Sequence, residues 1–179
     1  FGEVGGLMFL KEVFVEAREA ALRPRDFFGR RPEAESWSAP AARLAFWGFV
    51  AGLVDSLVVV LGLTDTPDSP LLNVLTTAAF PIFTLFFGVV AAGLLHLAWK
   101  LLGGTAPLAA TWRAAAAVSF TMPFDIVAGN LGLMSLLPML FRYWLLGAAG
   151  GGAHGLRRGR AWGLVCVLAF VELLSRTLS

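Results

Sequence analysis

Residues 42–63 read ARLAFWGFVAGLVDSLVVVLGL, with Arg43 at the head, Asp55 in the second half and no other charge. Coiled as a helix at roughly 1.5 Å per residue, this run reaches about 33 Å, enough for a bilayer hydrocarbon core of about 30 Å. The same kind of segment recurs down the chain. Residues 71–102 are apolar and divided by Pro81, 111–129 contain Pro123, 131–147 are interrupted by Pro138, and 161–174 can be extended through 175–179. Proline removes a backbone donor, so each of these prolines predicts a kink or a break. The expected fold class is all-α: a polytopic membrane bundle of five transmembrane helices.

The sidedness follows from the loops. Lys11, Arg18, Arg23, Arg25, Arg30, Arg31 and Arg43 precede the first span. The next loop, 64–70, holds Asp65 and Asp68 and no base; the one after is bounded by Lys100 and Arg113; the turn near Gly129 to Gly132 is uncharged; and the last loop carries Arg157, Arg158 and Arg160. Lys and Arg stay on the cytoplasmic side because translocating them is unfavourable. Bases on every second loop predict a cytoplasmic N-terminus and, after five spans, an external C-terminus.

Composition agrees with this. The 179 residues are 58% hydrophobic and 15% charged, where a soluble domain is nearer half apolar and a quarter charged; the mean hydropathy is +0.76. The net charge of +2, from 14 basic and 12 acidic residues, reflects loop anchoring. It is not the concentrated basic face that nucleic acid requires. The single cysteine, Cys166, sits in the last apolar stretch and forms no metal-binding spacing. No cleavable signal peptide is expected, because residues 18–35 separate the start from the first long apolar run.

Two regions follow: 1–40, a cytoplasmic amphipathic helix and a Pro/Arg-rich segment, and 41–179, the spans. Leu7, Leu10, Phe14, Ala17 and Ala21 recur at helical spacing with charges between them, which predicts an interfacial helix lying on the membrane or packing under the bundle. Pro24, Pro32 and Pro40 follow. Between them Phe27 and Phe28 are placed to sit at the headgroup level, with Arg30 and Arg31 on phosphates, as a membrane-surface anchor.

An ionisable group at membrane depth costs about 2.5–3.5 kcal/mol on insertion scales and asks for a partner or a function. Asp55, Asp125, Arg142 and Glu172 fall inside the expected spans. An intramembrane network of Asp55, Asp125 and Arg142 is expected, either a structural pair of Arg142 with Asp55 or Asp125, or a polar path for an ion or small solute. Gly48, Gly52 and Ser56, four residues apart, form a ridge that lets a neighbouring helix approach closely. Ser119, Thr121 and Ser135 are expected to bond their own helix carbonyls. His96 and His154 lie near cytoplasmic span ends, and His96 reads as interfacial polar trim beside Lys100. No metal or other cofactor is expected, and no GxSxG, HExxH or phosphate-loop signature suggests an enzyme.

One resemblance emerges. His96-Leu-Ala-Trp-Lys-Leu-Leu-Gly103-Gly104-Thr-Ala-Pro-Leu-Ala-Ala-Thr111, then Phe120-Thr-Met-Pro123, resembles the centre of bacterial Yip-domain membrane proteins, relatives of the eukaryotic Ypt-interacting proteins. The loop with His154-Gly155 and the amphipathic start resemble that family too, so the likeness covers about Leu7 to Leu174. Where the family usually has Tyr before the third-span proline, this chain has Phe120. The resemblance implies five spans, a cytoplasmic N-terminus and placement in a bacterial cytoplasmic membrane. It implies motif positions at His96, Gly103, Gly104, Pro123 and His154. Eukaryotic members are similar to receptors and membrane-shaping factors in vesicle traffic; the bacterial members carry over no activity. The expected function is that of a non-enzymatic scaffold, accessory subunit or membrane-organising factor, with membrane lipids and a membrane-protein partner or a second copy as partners. The alternatives are a transporter or channel component, or a subunit of a redox or photosynthetic complex.

Overall fold

The computed structural model describes residues 3–30, 36–63 and 69–178, and every regular element among them is helical. The expectations for Arg31, Asp65 and Asp68 fall outside the described residues. In chain order the elements are α1 (Glu3–Leu22), α2 (Pro24–Gly29), α3 (Ser38–Val60), α4 (Pro70–Leu101) and α5 (Leu108–Val118). A 3₁₀ turn (Ser119–Thr121), α6 (Met122–Gly129), a second 3₁₀ turn (Gly132–Ser135), α7 (Leu136–Gly152) and α8 (Arg158–Leu178) complete the chain. Four helical stretches are long and apolar enough to cross a membrane: α3, α4, Gly132–Gly152 and α8.

The remaining expected span is a helical stretch over 108–129, broken in the middle. Pro123 has no N–H for the carbonyl of Ser119. Around that gap Ser119 Oγ donates to the Ala116 carbonyl at 2.6 Å and Thr121 Oγ1 to that of Val118 at 3.0 Å, tightening the turn. Neither half alone reaches span length, yet its middle, residues 111–121, is packed into the bundle. Thr111, Ala114, Ala116, Val118 and Thr121 are all buried. Around it gather Val13 and Ala20 of α1, Phe28 of α2, Trp47 of α3, Trp99 of α4, and Leu145 and Ala149 of α7. The helices α1 and α2 therefore share the core of the apolar helices.

Four local readings change. The face that α1 buries is centred on Val13 and Ala20, with Phe9, Ala17 and Ala21 beside them, while Leu7 and Leu10 are exposed. The helix is rotated so that Phe9 and Phe14 meet Phe46 edge-on, at ring distances of 6.1 and 6.0 Å. Phe28 is buried within the protein and does not present its ring at the surface, as an anchor would. Pro24 starts a short helix that tucks this ring against α7, where a Cβ on Gly152 would lie 3.1 Å from Phe28 Cβ. Phe27 packs edge-on against it at 5.1 Å. Arg30 is held by Glu19 at 2.7 Å. Finally, Pro138 does not interrupt the fourth helix but stands in the first turn of α7, where backbone donors have no partner in any case. The glycine-rich run after Gly147 is helical as far as Gly152 because Trp162, Trp99 and Phe28 close on its bare backbone.

α4 is one helix of 32 residues with Pro81 inside it. Its seam with α3 is the ridge Gly48, Gly52 and Ser56. A Cβ on Gly52 would lie 3.0 Å from both Phe80 Cβ and the Thr77 carbonyl, which Pro81 leaves without its helical donor. Thr77 Oγ1 shares its proton between the carbonyls of Asn73 at 3.0 Å and Gly52 at 3.2 Å and is hydrogen-bonded to Ser56 Oγ. Leu44 fills the space over Gly88.

Candidate functional site

Two polar groups stand out, one at each end of the bundle. The first forms where the basic segments meet. Arg113 Nη2 donates to the Arg30 carbonyl at 3.0 Å, Arg160 Nη1 to that of Leu102 at 2.9 Å, and Lys100 Nζ to that of Thr105 at 3.2 Å. Gly103, with φ of 95°, turns the chain out of α4. A Cβ on Gly104 would lie 2.8 Å from the Trp99 carbonyl and 3.0 Å from His154 Nδ1. Beneath this turn Thr111 Oγ1 is hydrogen-bonded both to His96 Nδ1 at 3.0 Å and to His154 Nε2 at 2.8 Å. Thr111 and His154 are fully buried, and Trp99 lies 4.5 Å from the His154 ring.

A hydroxyl has one proton and two lone pairs, so Thr111 donates to at most one of the two histidines. His154 Nδ1 has no hydrogen-bond partner among the described residues. Burying a bare lone pair costs less than burying an unpaired N–H. His154 therefore donates from Nε2 to Thr111, and Thr111 donates to His96 Nδ1. Burial, with His96 and Lys100 nearby, pushes the His154 pKa down to about 4. A histidine held neutral in this way contributes stability that is complete above its ordinary pKa near 6.5 and is lost as pH falls toward 4. The thermal midpoint of the solubilised protein is expected to drop between pH 6.5 and 4.5, with a slope of at most about 1.4 kcal/mol per pH unit. His154→Asn lowers stability at neutral pH and flattens that slope; equal slopes in the two proteins would contradict the assignment.

The second group lies toward the other end. Arg142 Nη1 donates to Asp125 Oδ2 at 2.5 Å, and its Nη2 to both oxygens of Glu172 at 2.8 and 2.7 Å. Tyr143 Oη donates to Glu172 Oε2 at 2.6 Å, and Arg176 Nη2 to Glu172 Oε1 at 2.7 Å. Two guanidinium groups face two carboxylates, so the group is neutral overall. The elements explain the choice of partners: α7, which carries Arg142, packs against α6 and α8, which carry Asp125 and Glu172. Asp55 stands half-buried on α3. Of the two expected pairings Arg142 makes the one with Asp125, and Glu172 joins it.

The motif positions behave unequally. His96, Gly104 and His154 come together with Thr111 and Trp99, Gly103 makes the turn above them, and Pro123 lies apart in α6. His96 is a hydrogen-bonded member of this group and not surface trim. Among the described residues no group of three or more His, Cys, Asp or Glu side chains is arranged to hold a metal ion. Sequence reasoning passed over Tyr143 and Arg176. The one available signal was that the chain's single tyrosine adjoins the arginine of the fourth span.

Two cavities open at the basic end. One, of about 540 Å³, lies between α2, the start of α3 and α5. The other, of about 630 Å³, lies between α2, α7 and α8. Neither is lined by Asp125, Arg142 or Glu172.

No protein-family model matches the chain, and neither a curated protein nor a solved structure matches it. Class is defined by the molecule itself: a helical bundle with four membrane-length apolar helices around a buried, broken fifth stretch.

Proposed function

We propose that this chain is a non-enzymatic, five-span protein of the bacterial cytoplasmic membrane, a scaffold or accessory subunit related to the Yip-domain proteins. Its leading segment and the loops of Lys100, Arg113 and Arg157 to Arg160 face the cytoplasm, and its C-terminus is external. One observation carries the non-transporting role: the ionic group on Arg142 is neutral overall, its charges are paired within its own helices, and it lines neither of the two cavities. A transport path needs its polar groups open to water or solute. The meeting of His96, Gly104, Thr111 and His154 in one cluster supports the family likeness. Five spans are supported by the burial of residues 111–121 within the 108–129 stretch and by the mutual contacts of the basic segments at one end.

Such a protein also needs surface for neighbours. On α4, Ile82, Phe83, Phe86, Phe87, Val90 and Leu94 are all exposed, a wide apolar face for acyl chains or another membrane helix. Purified gently, the protein is expected to bring a membrane-protein partner or a second copy with it. A cysteine replacing Phe141 in a Cys166→Ser background is expected to resist a soluble thiol reagent until the protein is unfolded. A monomer that arrives alone and reacts rapidly at position 141 would favour the transporter reading. A C-terminal reporter found on the same side as the leading segment would remove the fifth span.

A further inference from the structure

The cavity between α2, α7 and α8 has unlike walls. Arg23 and Arg25 stand on the α2 side and Arg158 opens α8 opposite them. All three are exposed, and none has a carboxylate partner among the described residues, whereas Arg30, Arg43, Arg142 and Arg176 are each ion-paired. Asp26 is the one acid in the lining, so three positive charges meet one negative. The α7 wall is bare at Gly151, where a Cβ would meet nothing nearer than the Leu156 carbonyl at 4.0 Å. Trp144 and Trp162 complete the lining. At roughly 1.5 Å per residue, Trp144 lies about 10 Å down α7 from Gly151, and Trp162 about 6 Å down α8 from Arg158. Both tryptophans therefore sit further along their helices than Gly151 and Arg158, at the depth where indole rings settle in a membrane interface.

We propose that this cavity binds the phosphodiester of an anionic glycerophospholipid, with its oxygens on Arg23, Arg25 and Arg158 and its upper acyl chains against Trp144 and Trp162. Guanidinium groups match phosphate oxygens in pairs. The surplus of two positive charges disfavours a zwitterionic headgroup, whose ammonium would enter the same field. This site rests on the membrane placement proposed above and gives the scaffold reading a lipid partner at its basic end.

The test is native mass spectrometry of the detergent-solubilised full chain with phosphatidylglycerol and phosphatidylcholine of identical acyl chains. The wild type is expected to retain phosphatidylglycerol at least about fivefold better, the preference that roughly one extra basic contact confers near a membrane surface. Arg23→Gln/Arg25→Gln/Arg158→Gln abolishes the preference. Gly151→Leu, which fills the cavity without removing charge, reduces it as well, while Arg157→Gln, an exposed neighbour outside the lining, leaves it intact. Glycerol phosphate at the lipid's concentration does not displace the lipid. Equal retention of both lipids by the wild type, an undiminished preference in the triple variant, or displacement by glycerol phosphate overturns the proposal. Failure of the membrane placement itself looks different: no lipid of either kind is retained.

Discussion

Arg142→Ala should cost about 3 kcal/mol, the lower end of the loss when one partner leaves a buried ion pair, because this group is part-buried. The substitution removes three charge-assisted hydrogen bonds and leaves Asp125 and Glu172 facing each other with Arg176 alone to offset them. Asp125 is the more exposed to the loss, because its Oδ1 has no hydrogen-bond partner among the described residues even in the intact group. Glu172 keeps Tyr143 and Arg176. Glu172→Gln should therefore be milder, since Arg142 and Asp125 remain as a matched pair. The decisive variant is Arg142→Met with Asp125→Asn and Glu172→Gln. Removing three of the four charges together takes away most of the desolvation cost along with the attraction that offsets it, and leaves only Arg176, the most exposed of the four. The triple variant should recover most of the stability lost by Arg142→Ala. The measurement is the denaturant or thermal midpoint in detergent, read as a double-mutant cycle for each carboxylate. Additive losses would mean that Arg142 and Glu172 do not act on each other.

The difference between Glu172 and Asp55 shows what single-sequence reading reaches. Lipid and translocation act on each segment where it stands, so hydropathy and the side of each basic loop are written locally, and the four membrane-length helices were visible from residue order alone. Which carboxylate meets Arg142 depends on which helices are neighbours. Asp125 and Glu172 lie 17 and 30 residues from it, and periodicity carries no information at that range. Helix ends failed for a related reason. Pro138 was read by its power to break a helix, yet in a first turn it breaks nothing. The glycines from 147 to 152 resemble a loop until the rings that press on them are known. The fifth span remains a proposal because its halves, joined at Ser119–Thr121, are each too short to count alone. His154 was visible as a histidine near a span end, but its burial against Trp99 depends on Gly104 and Gly150, two bare positions far apart in the chain.

Gly48→Leu should be the most damaging single substitution at the seam of α3 and α4, lowering stability by at least about 3 kcal/mol, the upper part of the range for overpacking. A Cβ at position 48 would already stand 2.5 Å from Thr84 Oγ1, 2.8 Å from Thr84 Cβ and 3.1 Å from the Cα of Pro81. A side chain could swing clear, but the proline backbone cannot, so the two helices must separate. Separation also opens the contact at Gly52 and breaks the bond from Thr77 to the Gly52 carbonyl. Membrane helices associate through close packing, without the hydrophobic drive available in water, so little remains to hold the pair once that contact is lost. Gly48→Ala should be harmful for the same geometric reason, and Thr84→Gly should rescue it in part by removing the two nearest atoms. Gly93→Ala, on the same α4, supplies the contrast. Nothing lies within 4 Å of a Cβ there, and exchanging glycine for alanine in a helix gains up to about 1 kcal/mol. The thermal midpoint of each variant in detergent separates these outcomes. If Gly48→Leu and Gly93→Ala prove equally harmless, then Gly48 does not face α4, and the helix contact on which the first two spans are aligned is wrong.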